Sequence, residues 1–453
     1  MRDSFKSKSM MMRQTIVVSG VMAVCLSAIS LFAYPDAPHS VGAIATQSSA
    51  PALGSLDGCY YNPAGLSLLK DGLHIDVGYQ LLTKTTAAAM FNSNTEDSRT
   101  SWFVPNLALA YTKKDRGAVF LSVFMPRGVE LFDYSKRKGG MPFHAWHALG
   151  LDSIKMGILR AAGLTFDAGG LELPMITYVK SKRWWVQSRL GGSFAVAKMF
   201  SVAGGIAWSC FMDEQSAGVH RLGTVEKIEG RGSGWSGFFG VMIGPADKAA
   251  LSVWYGTKVT ARGRERDLKY HYSRVTERRL PDSLMIGVHV RSGDGGLVLI
   301  SYQVDVAGER RFGSEKIPSL GREIGYLDWL TVLENASTWA ILPVLRVGNS
   351  ENYKHRHRHS IGLGLELGMG SFAPLFGLSY ASQETYPRAQ NPLDPDLQRV
   401  GLGAGIKIQA GDAITVTSGT AYYFFVTDRL FFNSIKLNKT AWVWGISLSA
   451  GVL

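Results

Sequence analysis

The chain has 453 residues, of which 46% are hydrophobic, only 19% are charged and 51 are glycines. Its formal charge of +12 is scattered between apolar segments and concentrated in predicted loops, which favours anionic lipids or ligands as partners over nucleic acid. After the N-terminus no charge-free apolar run reaches the length of about 18 residues that a membrane-spanning helix needs, so a helical membrane protein is excluded.

The first 33 residues have the pattern of a cleaved export signal. Four basic residues come before an apolar stretch over 16–32, and we predict cleavage near Ala33. The basic residues are Arg2, Lys6, Lys8 and Arg13. An uncleaved anchor helix at the N-terminus is the alternative interpretation.

Residues 34–72 are rich in Ala, Ser and Gly and show no alternation of apolar and polar side chains. This segment is too long for a simple tail in front of the first strand. We therefore predict a plug that folds into the space enclosed by the strands that follow.

From residue 73 onward, apolar and polar residues alternate with period two, which is typical of strands with different surroundings on their two faces. In 358–367, for example, Ile361 and Leu363 alternate with Gly362 and Gly364. Fourteen such segments are predicted, at 73–82, 104–112, 117–126, 182–196, 200–212, 232–243, 248–259, 282–291, 296–306, 357–367, 371–381, 397–408, 412–426 and 440–453.

The connections between these segments alternate in length. The short ones are 113–116, 197–199, 244–247, 292–295, 368–370 and 409–411. The long ones are 83–103, 127–181, 213–231, 260–281, 307–356, 382–396 and 427–439. This rhythm is typical of an outer-membrane barrel with short periplasmic turns and long external loops. We predict an all-β fold, a 14-stranded antiparallel transmembrane β-barrel over 73–453 with the plug in its lumen. A soluble β-protein is the alternative.

A sheet in hydrocarbon closes on itself because lipid offers no partner for unpaired backbone groups. Apolar residues then face outward, and aromatic residues gather at the two interfaces. The candidates for these girdles are Trp184, Trp208, Trp235, Tyr255, Tyr302, Trp442 and Trp444. Cys59 and Cys210 are predicted to be small buried apolar residues, and a disulfide between them is the alternative.

Four motifs occur in an order that resembles the FadL/TodX family of outer-membrane transporters for long-chain fatty acids and other hydrophobic compounds. They are Asn62-Pro63-Ala64 at the end of the plug, Val104-Pro105-Asn106, Gly234-Trp235 and Leu280-Pro281-Asp282. The resemblance spans the mature chain and implies a 14-stranded barrel whose N-terminal hatch carries the Asn62–Ala64 motif. It also implies passive, ligand-gated uptake.

The chain departs from this family in its connections. The family's third and fourth external loops are long and hold a capture groove. The corresponding connections here, 213–231 and 260–281, are shorter than those of the family, and the second is densely basic. The longest connections are instead 127–181 and 307–356, which contain helix-like stretches at Ile154–Leu164 and Leu327–Leu342. External capture is therefore expected to be built differently, and the ligand need not be a simple fatty acid. The last residue, Leu453, replaces the usual terminal aromatic, so recognition by the barrel-assembly machinery is also expected to differ.

Alternate positions of each strand face lipid and lumen in turn. Most of the positions with the parity expected to face the lumen are small or polar, but five are large and apolar. They are Phe120, Phe124, Phe238, Met242 and Trp254. We predict that they line a pocket for a hydrophobic ligand, where each buried methylene contributes roughly 0.8 kcal/mol. Packing against the plug is the alternative, and the two roles are compatible.

Four cations share that parity, namely Arg189, Lys258, Arg291 and Lys407. A cation beside an apolar pocket can bind a carboxylate through charge-assisted hydrogen bonds. Pairing with luminal acids such as Asp76, Asp305 and Glu366 is the alternative for each of them.

The third predicted strand ends in Met125-Pro126-Arg127-Gly128. Proline cannot donate to a ladder and glycine weakens a strand, so Pro126 and Gly128 mark a break in pairing. A kinked third strand that opens laterally to the membrane is what the family resemblance implies. A simple strand end is the alternative.

The run Lys354-His355-Arg356-His357-Arg358-His359 is interpreted as a basic loop base facing lipid headgroups, since its arginines would repel a metal cation. We expect no metal and no cofactor. No strand shows a convincing Ser-His-Asp arrangement, so we expect no enzyme.

The sequence thus predicts an outer-membrane transporter whose partners are a long-chain fatty acid or similar small molecule and the surrounding lipid. The alternative function is a surface barrel that acts as an adhesin or binding protein through its long loops.

Overall fold

The structure is a computed structural model. It describes residues 39–48, 55–90, 96–113, 116–126, 129–133, 165–167, 172–174, 178–219, 223–245, 248–268, 273–292, 295–306, 314–316, 323–325, 357–383, 396–411, 413–426, 428–430 and 435–452. Several predictions fall outside these residues. They are the export signal over 1–33, the stretches Ile154–Leu164 and Leu327–Leu342, the basic residues 354–356, Gly128 and Leu453.

Fourteen antiparallel strands form the wall of a single barrel, as the sequence predicts. The first seven are β1 (Gly72–Met90), β2 (Glu96–Lys113), β3 (Gly117–Phe124 and Val129–Asp133), β4 (Tyr178–Ala197), β5 (Phe200–Val219), β6 (Gly223–Ile243) and β7 (Ala249–Gly256 and Val259–Asp267). The others are β8 (Ser273–Leu280 and Asp282–Arg291), β9 (Gly296–Val306), β10 (Arg358–Leu367), β11 (Phe372–Ala381), β12 (Arg399–Ala410), β13 (Ile414–Phe425, continued at Asp428–Leu430) and β14 (Ile435–Val452).

Each wall strand pairs with its neighbours in the chain, and β14 pairs with β1. The closing ladder runs from Leu73 opposite Val452 to Met90 opposite Ile435. Closure satisfies backbone groups that an open sheet would leave unpaired in lipid. Two short strand pairs lie outside the wall sheet, Thr165–Asp167 with Glu172–Pro174 and Ser314–Lys316 with Glu323–Gly325.

Three connections predicted to be long loops are mostly strand, and this prediction was wrong. Only residues 91–95 separate β1 from β2, only 220–222 separate β5 from β6, and only 268–272 separate β7 from β8. The strands continue past the apolar band as a wall that is polar on its outer face too. Period-two hydrophobicity disappears there because neither face meets lipid.

The short connections are confirmed at the opposite end of the barrel. The turn between β10 and β11 contains Gly370 at φ 67°, and the turn between β12 and β13 contains Gly411 at φ 69°. Glycine suits these left-handed positions because it has no Cβ. We call this end of the barrel the short-turn end.

The two faces of each strand differ in exposure as expected for a membrane wall. Along β6, Trp235, Phe239 and Ile243 point outward and are 66%, 54% and 49% exposed, whereas Phe238 and Met242 are buried inside. Of the predicted girdle residues, Trp235, Tyr255, Trp442 and Trp444 are exposed on the outer surface. An apolar exterior around a closed sheet is stable in lipid.

The N-terminal residues 39–48 and 55–71, which we call the luminal segment, pack inside the wall. Helix α1 (Val41–Thr46) contacts β10–β14 and β1, while the 3₁₀ helix Pro63–Leu68 contacts β3–β6. The segment thus reaches opposite sides of the lumen. Among the residues that the structure describes, no helix is long and apolar enough to cross a bilayer.

Candidate functional site

The inner wall presents an aromatic cluster to the luminal segment. Phe120, Phe124, Phe238 and Trp254 share one buried core with Tyr60 and Tyr61 of that segment. The ring of Phe124 meets Tyr60 edge-on with centroids 5.5 Å apart, and the rings of Phe120 and Phe238 lie 5.9 Å apart. Such pairs are stabilising beyond the area that they bury.

All five residues predicted to line a pocket point into the barrel, as their parity indicates. Phe238 and Trp254 also border a cavity, whereas Met242 packs with Ala64 and Ala203 at the seat of the luminal segment. Packing against the plug is therefore observed. Contact with a ligand stays a prediction for the group.

Arg189 is the buried cation of this cluster, with 6% of its surface exposed. Its guanidinium lies over the rings of Phe124, Trp254 and Phe238, at 4.7, 4.9 and 5.6 Å from their centroids. These are cation–π distances. The charge is thus held in an aromatic cage.

Two hydrogen bonds fix the orientation of Arg189. Nη1 donates to the carbonyl of Tyr60 at 2.6 Å, and Nε donates to Oε1 of Gln187 at 3.0 Å. Both acceptors are neutral, so neither compensates the charge of the guanidinium. An anionic group in the adjoining cavity would do so at short range.

The structure does not bring the other three predicted cations to this cavity. Lys407 donates to both carboxylate oxygens of Glu366 at 2.9 Å, which is the acid pairing that the sequence left open. Lys258 is exposed at the break between the two segments of β7, where the parity shifts. Arg291 is exposed at the short-turn end of β8.

The two other luminal acids have neutral partners. Asp76 accepts hydrogen bonds from Asn106 and Ser449, and Asp305 accepts from Ser283 and Gln303. Pairing of these acids with the predicted cations is therefore not observed.

The Asn62-Pro63-Ala64 motif ties the luminal segment to the wall. The Asn62 side chain caps the 3₁₀ helix by accepting from the Ala64 amide, and its Nδ2 donates to the carbonyls of Val241 and Val253 at 3.0 and 3.2 Å. The Ala64 carbonyl accepts from the Ser201 hydroxyl at 2.8 Å. Proline suits the first helical position because its missing N–H is not needed there.

A cavity of about 220 Å³ lies between the luminal segment and the wall. Its lining includes the apolar side chains of Phe238, Trp254 and Met285 together with polar and charged residues such as Asp305 and Arg358. The cavity is therefore amphipathic. Pro126 also borders it, which brings the predicted strand break to the same space.

The wall pairing is interrupted beside Pro126. Phe124 pairs with Gln187, and the next pair is Val129 with Trp184, so four residues of β3 (125–128) face two of β4 (185–186). On the other side, the described ladder between β2 and β3 covers Leu107–Lys113 and stops there. Above that point β2 is paired only to β1 among the described strands.

Sequence reasoning missed the plug residues that complete the site. The rings of His39 and Phe124 lie with their centroids 4.9 Å apart. The backbone amide of His39 donates a hydrogen bond to the Tyr61 hydroxyl. Burial, with a smaller contribution from the charge of Arg189, lowers the pKa of His39 to about 3, so it is neutral at ordinary pH. Tyr60 and Tyr61 directly precede the Asn62-Pro63-Ala64 motif, and this position in the sequence was the signal that could have identified them.

Cys59 is buried in the luminal segment, Cys210 lies on β5, and both are free. The predicted disulfide alternative is therefore not observed. In the part of the chain that the structure describes, no group of three or more His, Cys, Asp or Glu side chains is placed to hold a metal ion. His359 lies on the outer surface, where its Nδ1 is 2.7 Å from the Tyr302 hydroxyl.

No protein-family model and no curated protein matches the chain. Solved structures do. A FadL homologue of Pseudomonas aeruginosa is similar with a TM-score of 0.63 and 12% identity, covering 93% of this chain and 100% of that one. The toluene transporter TodX of Pseudomonas putida gives 0.60 and 11%, covering 92% and 99%. The toluene transporter TbuX of Ralstonia pickettii gives 0.56 and 13%, with the same coverage. The chain therefore has the fold of the FadL homologue and of the toluene transporters, along nearly its whole length.

Proposed function

We propose that this protein is an outer-membrane transporter that takes up hydrophobic small molecules carrying an acidic headgroup. The observation that carries the proposal is the caged Arg189 beside an amphipathic luminal cavity. Long-chain fatty acids are the first ligand class to test, because an alkyl chain joined to a carboxylate matches aromatic rings around a guanidinium. The fold shared with FadL and toluene transporters supports the same class of activity.

The luminal segment acts as a hatch in this proposal. Its contacts with opposite sides of the wall block free diffusion. The cavity, at about 220 Å³, is smaller than the roughly 300–1,000 Å³ of sites that bury a drug-sized ligand. A long acyl chain therefore requires the hatch to move, and binding energy alone drives that movement.

The ligand leaves through the wall at the break in β3. Met125 and Val104 fill the seam between β2, β3 and β4 together with Trp102, Trp184 and Val186. These side chains close the gap by apolar contact, where a ladder of hydrogen bonds would otherwise run. Such contacts yield to an apolar ligand at little cost, since one apolar surface replaces another.

Binding of oleate and of oleyl alcohol to the purified protein tests the headgroup assignment. An Arg189→Gln variant loses a charge-assisted interaction of about 1.5–3 kcal/mol. We expect it to bind oleate at least tenfold more weakly and the uncharged alcohol within about twofold of wild type.

The control is Arg116→Gln, which removes an exposed arginine at the short-turn end. It should bind both ligands normally. Equal loss of oleate and alcohol binding in Arg189→Gln would point to collapse of the aromatic cluster and would contradict the headgroup role. Absence of binding of either ligand to the wild type would contradict the proposed function itself.

A further inference from the structure

Arginines cover the outer face of the wall at the end opposite to the short turns. Arg262, Arg264 and Arg266 occupy alternate positions of β7 and are all exposed, as is Arg231 on the adjoining β6. Because alternate residues of a strand share a face, these side chains form one outward surface. We call Arg231, Arg262, Arg264 and Arg266 the arginine patch.

The strand register sets like charges against each other within this patch. Arg264 lies directly opposite Arg231, and Arg262 and Arg266 flank the pair on the same strand face. Like charges opposite each other on a sheet destabilise it. Between residues whose side chains are described, no ion pair includes Arg231, Arg264 or Arg266.

Acidic side chains of the same strands point inward and have partners there. Arg278 bridges Asp213 at 2.8 Å and Glu265 at 2.7 Å, and Arg183 binds Asp213 at 2.5 Å. This luminal network leaves these two acids turned away from the patch.

Three further acids occupy positions of the outer strand face at the margin of the patch. Glu229, opposite Arg266, is paired with Lys227 at 2.9 Å, and Glu214 lies opposite Glu229 on β5. Glu277 lies opposite Arg262 on β8. The outer surface therefore has an excess of cations where like charges meet, and it needs anions from its surroundings.

The position of the patch relative to the apolar band indicates the source of those anions. Trp235 ends the band on β6, and Arg262 and Arg264 lie level with residues two and four positions beyond it. At about 3.3 Å per residue and a tilt near 45°, these are heights of roughly 5 and 9 Å above the tryptophan. Lipid headgroups occupy that layer of a bilayer.

We propose that the arginine patch binds the phosphate groups of lipid headgroups in the leaflet around the long-connection end of the barrel. The ligand is a multiply phosphorylated lipid rather than a singly charged one, because several guanidiniums converge on an area that one headgroup can span. Guanidinium recognises phosphate with paired hydrogen bonds. This site lies on the outer wall and does not depend on the luminal cavity.

Native mass spectrometry of the detergent-purified protein tests this site, with diphosphoryl lipid A, phosphatidylglycerol and phosphatidylcholine as probes. We expect retention of lipid A over the other two, lowered by salt because exposed charges are screened. A triple variant Arg231→Gln, Arg264→Gln, Arg266→Gln should bind lipid A at least about tenfold more weakly, because each cation near an anionic lipid surface contributes to the binding free energy.

The matched control removes three exposed cations at the short-turn end, through Arg116→Gln, Lys198→Gln and Lys248→Gln. This variant should retain lipid A like the wild type. Equal weakening of lipid A binding in both variants would show that only net charge matters and would contradict the proposed site. Unchanged lipid A binding in the first variant would also contradict it. Competition by 10 mM inorganic phosphate alone would show that a free anion suffices, and this also counts against a lipid site.

Oleate binding, measured on the same triple variant, keeps this proposal separate from the transport proposal. Because the patch faces outward, loss of lipid A retention should leave oleate binding unchanged. Failure of the wild type to bind oleate would contradict the transport proposal and leave the lipid site standing.

Discussion

At the scale of single residues, Asn62 joins the luminal segment to the wall. One side chain caps a helix with its oxygen and donates with its nitrogen to two wall carbonyls. Only an amide has an acceptor and two donors on one short stem. Gly240 lies directly against it, since a Cβ there would overlap Oδ1 of Asn62. The motif residue and this glycine therefore form one fitted contact.

Replacing Asn62 by alanine should loosen the luminal segment without unfolding the barrel. Both wall carbonyls lose their donor, and leaving buried groups unsatisfied costs about 1–3 kcal/mol. We expect amide hydrogen exchange over residues 55–71 to become at least about fivefold faster, while the exchange rates of the wall strands stay the same.

Ser67→Ala is the control for that experiment. The Ser67 hydroxyl donates to the Ala64 carbonyl within the luminal segment and leaves the wall contacts intact. Its exchange should stay close to that of the wild type. If Asn62→Ala exchanged no faster than Ser67→Ala, the motif would not anchor the segment.

At the scale of elements, α1 is seated on a glycine floor. A Cβ at Gly403 would lie 2.5 Å from the carbonyl oxygens of Ile44 and Ala45, and one at Gly377 would collide with the backbone of Thr46. The backbone of α1 thus contacts the wall directly. Side chains on these strands would hold the helix farther out and open a path along the wall.

A Gly403→Ala substitution should displace α1 or strain β12. Overpacking of this kind costs about 1–3 kcal/mol. We expect faster hydrogen exchange in Val41–Thr46 by roughly fivefold or more. Gly204→Ala is the control, because a Cβ there meets only an ordinary contact at 3.5 Å. Equal exchange in the two variants would show that the glycine floor does not seat the helix.

The wall was predictable from sequence wherever lipid faced one side of a strand. Strand β9 was located at 296–306 and is observed at Gly296–Val306. The strand ends beyond the membrane were missed because a strand with water on its outer face shows no alternation of apolar and polar residues. In β7 it is the arginines Arg262, Arg264 and Arg266 that occupy every second position. Their period of two was a strand signal that looked like a basic loop.

The site was predictable only in part, for a related reason. Parity placed Phe238 and Arg189 inside correctly, since both lie in uninterrupted strands. It failed at Lys258 because β7 breaks there, and a break shifts parity in a way that no local pattern reveals. The contribution of His39 depends on folding of the luminal segment against a wall strand far along the chain.

At the scale of the whole molecule, the proposed transport requires an apolar ligand to pass through a closed wall into the membrane. The break in β3 adds two residues relative to β4, and the ladder with β2 ends at the same level. Apolar side chains rather than backbone hydrogen bonds close the barrel there. In the proposed transport the ligand leaves here, because the described strands have no ladder bonds to lose at this level.

Deleting Pro126 and Arg127 removes the two extra residues and should restore continuous pairing. Val129 would then follow in the register that ends at Phe124, and the strand would also lose a residue that cannot donate. We expect the deletion variant to bind oleate in detergent like the wild type. Its transfer of oleate into lipid vesicles should fall at least tenfold, because the seam would be closed by hydrogen bonds.

Pro126→Ala is the control for the deletion, since it removes the proline and keeps both extra residues. If the interrupted register forms the opening, this variant transfers oleate at close to the wild-type rate. Loss of transfer in Pro126→Ala would instead assign the opening to the proline itself. Normal transfer by the deletion variant would mean that the ligand leaves along the lumen, so that the seam has no part in transport.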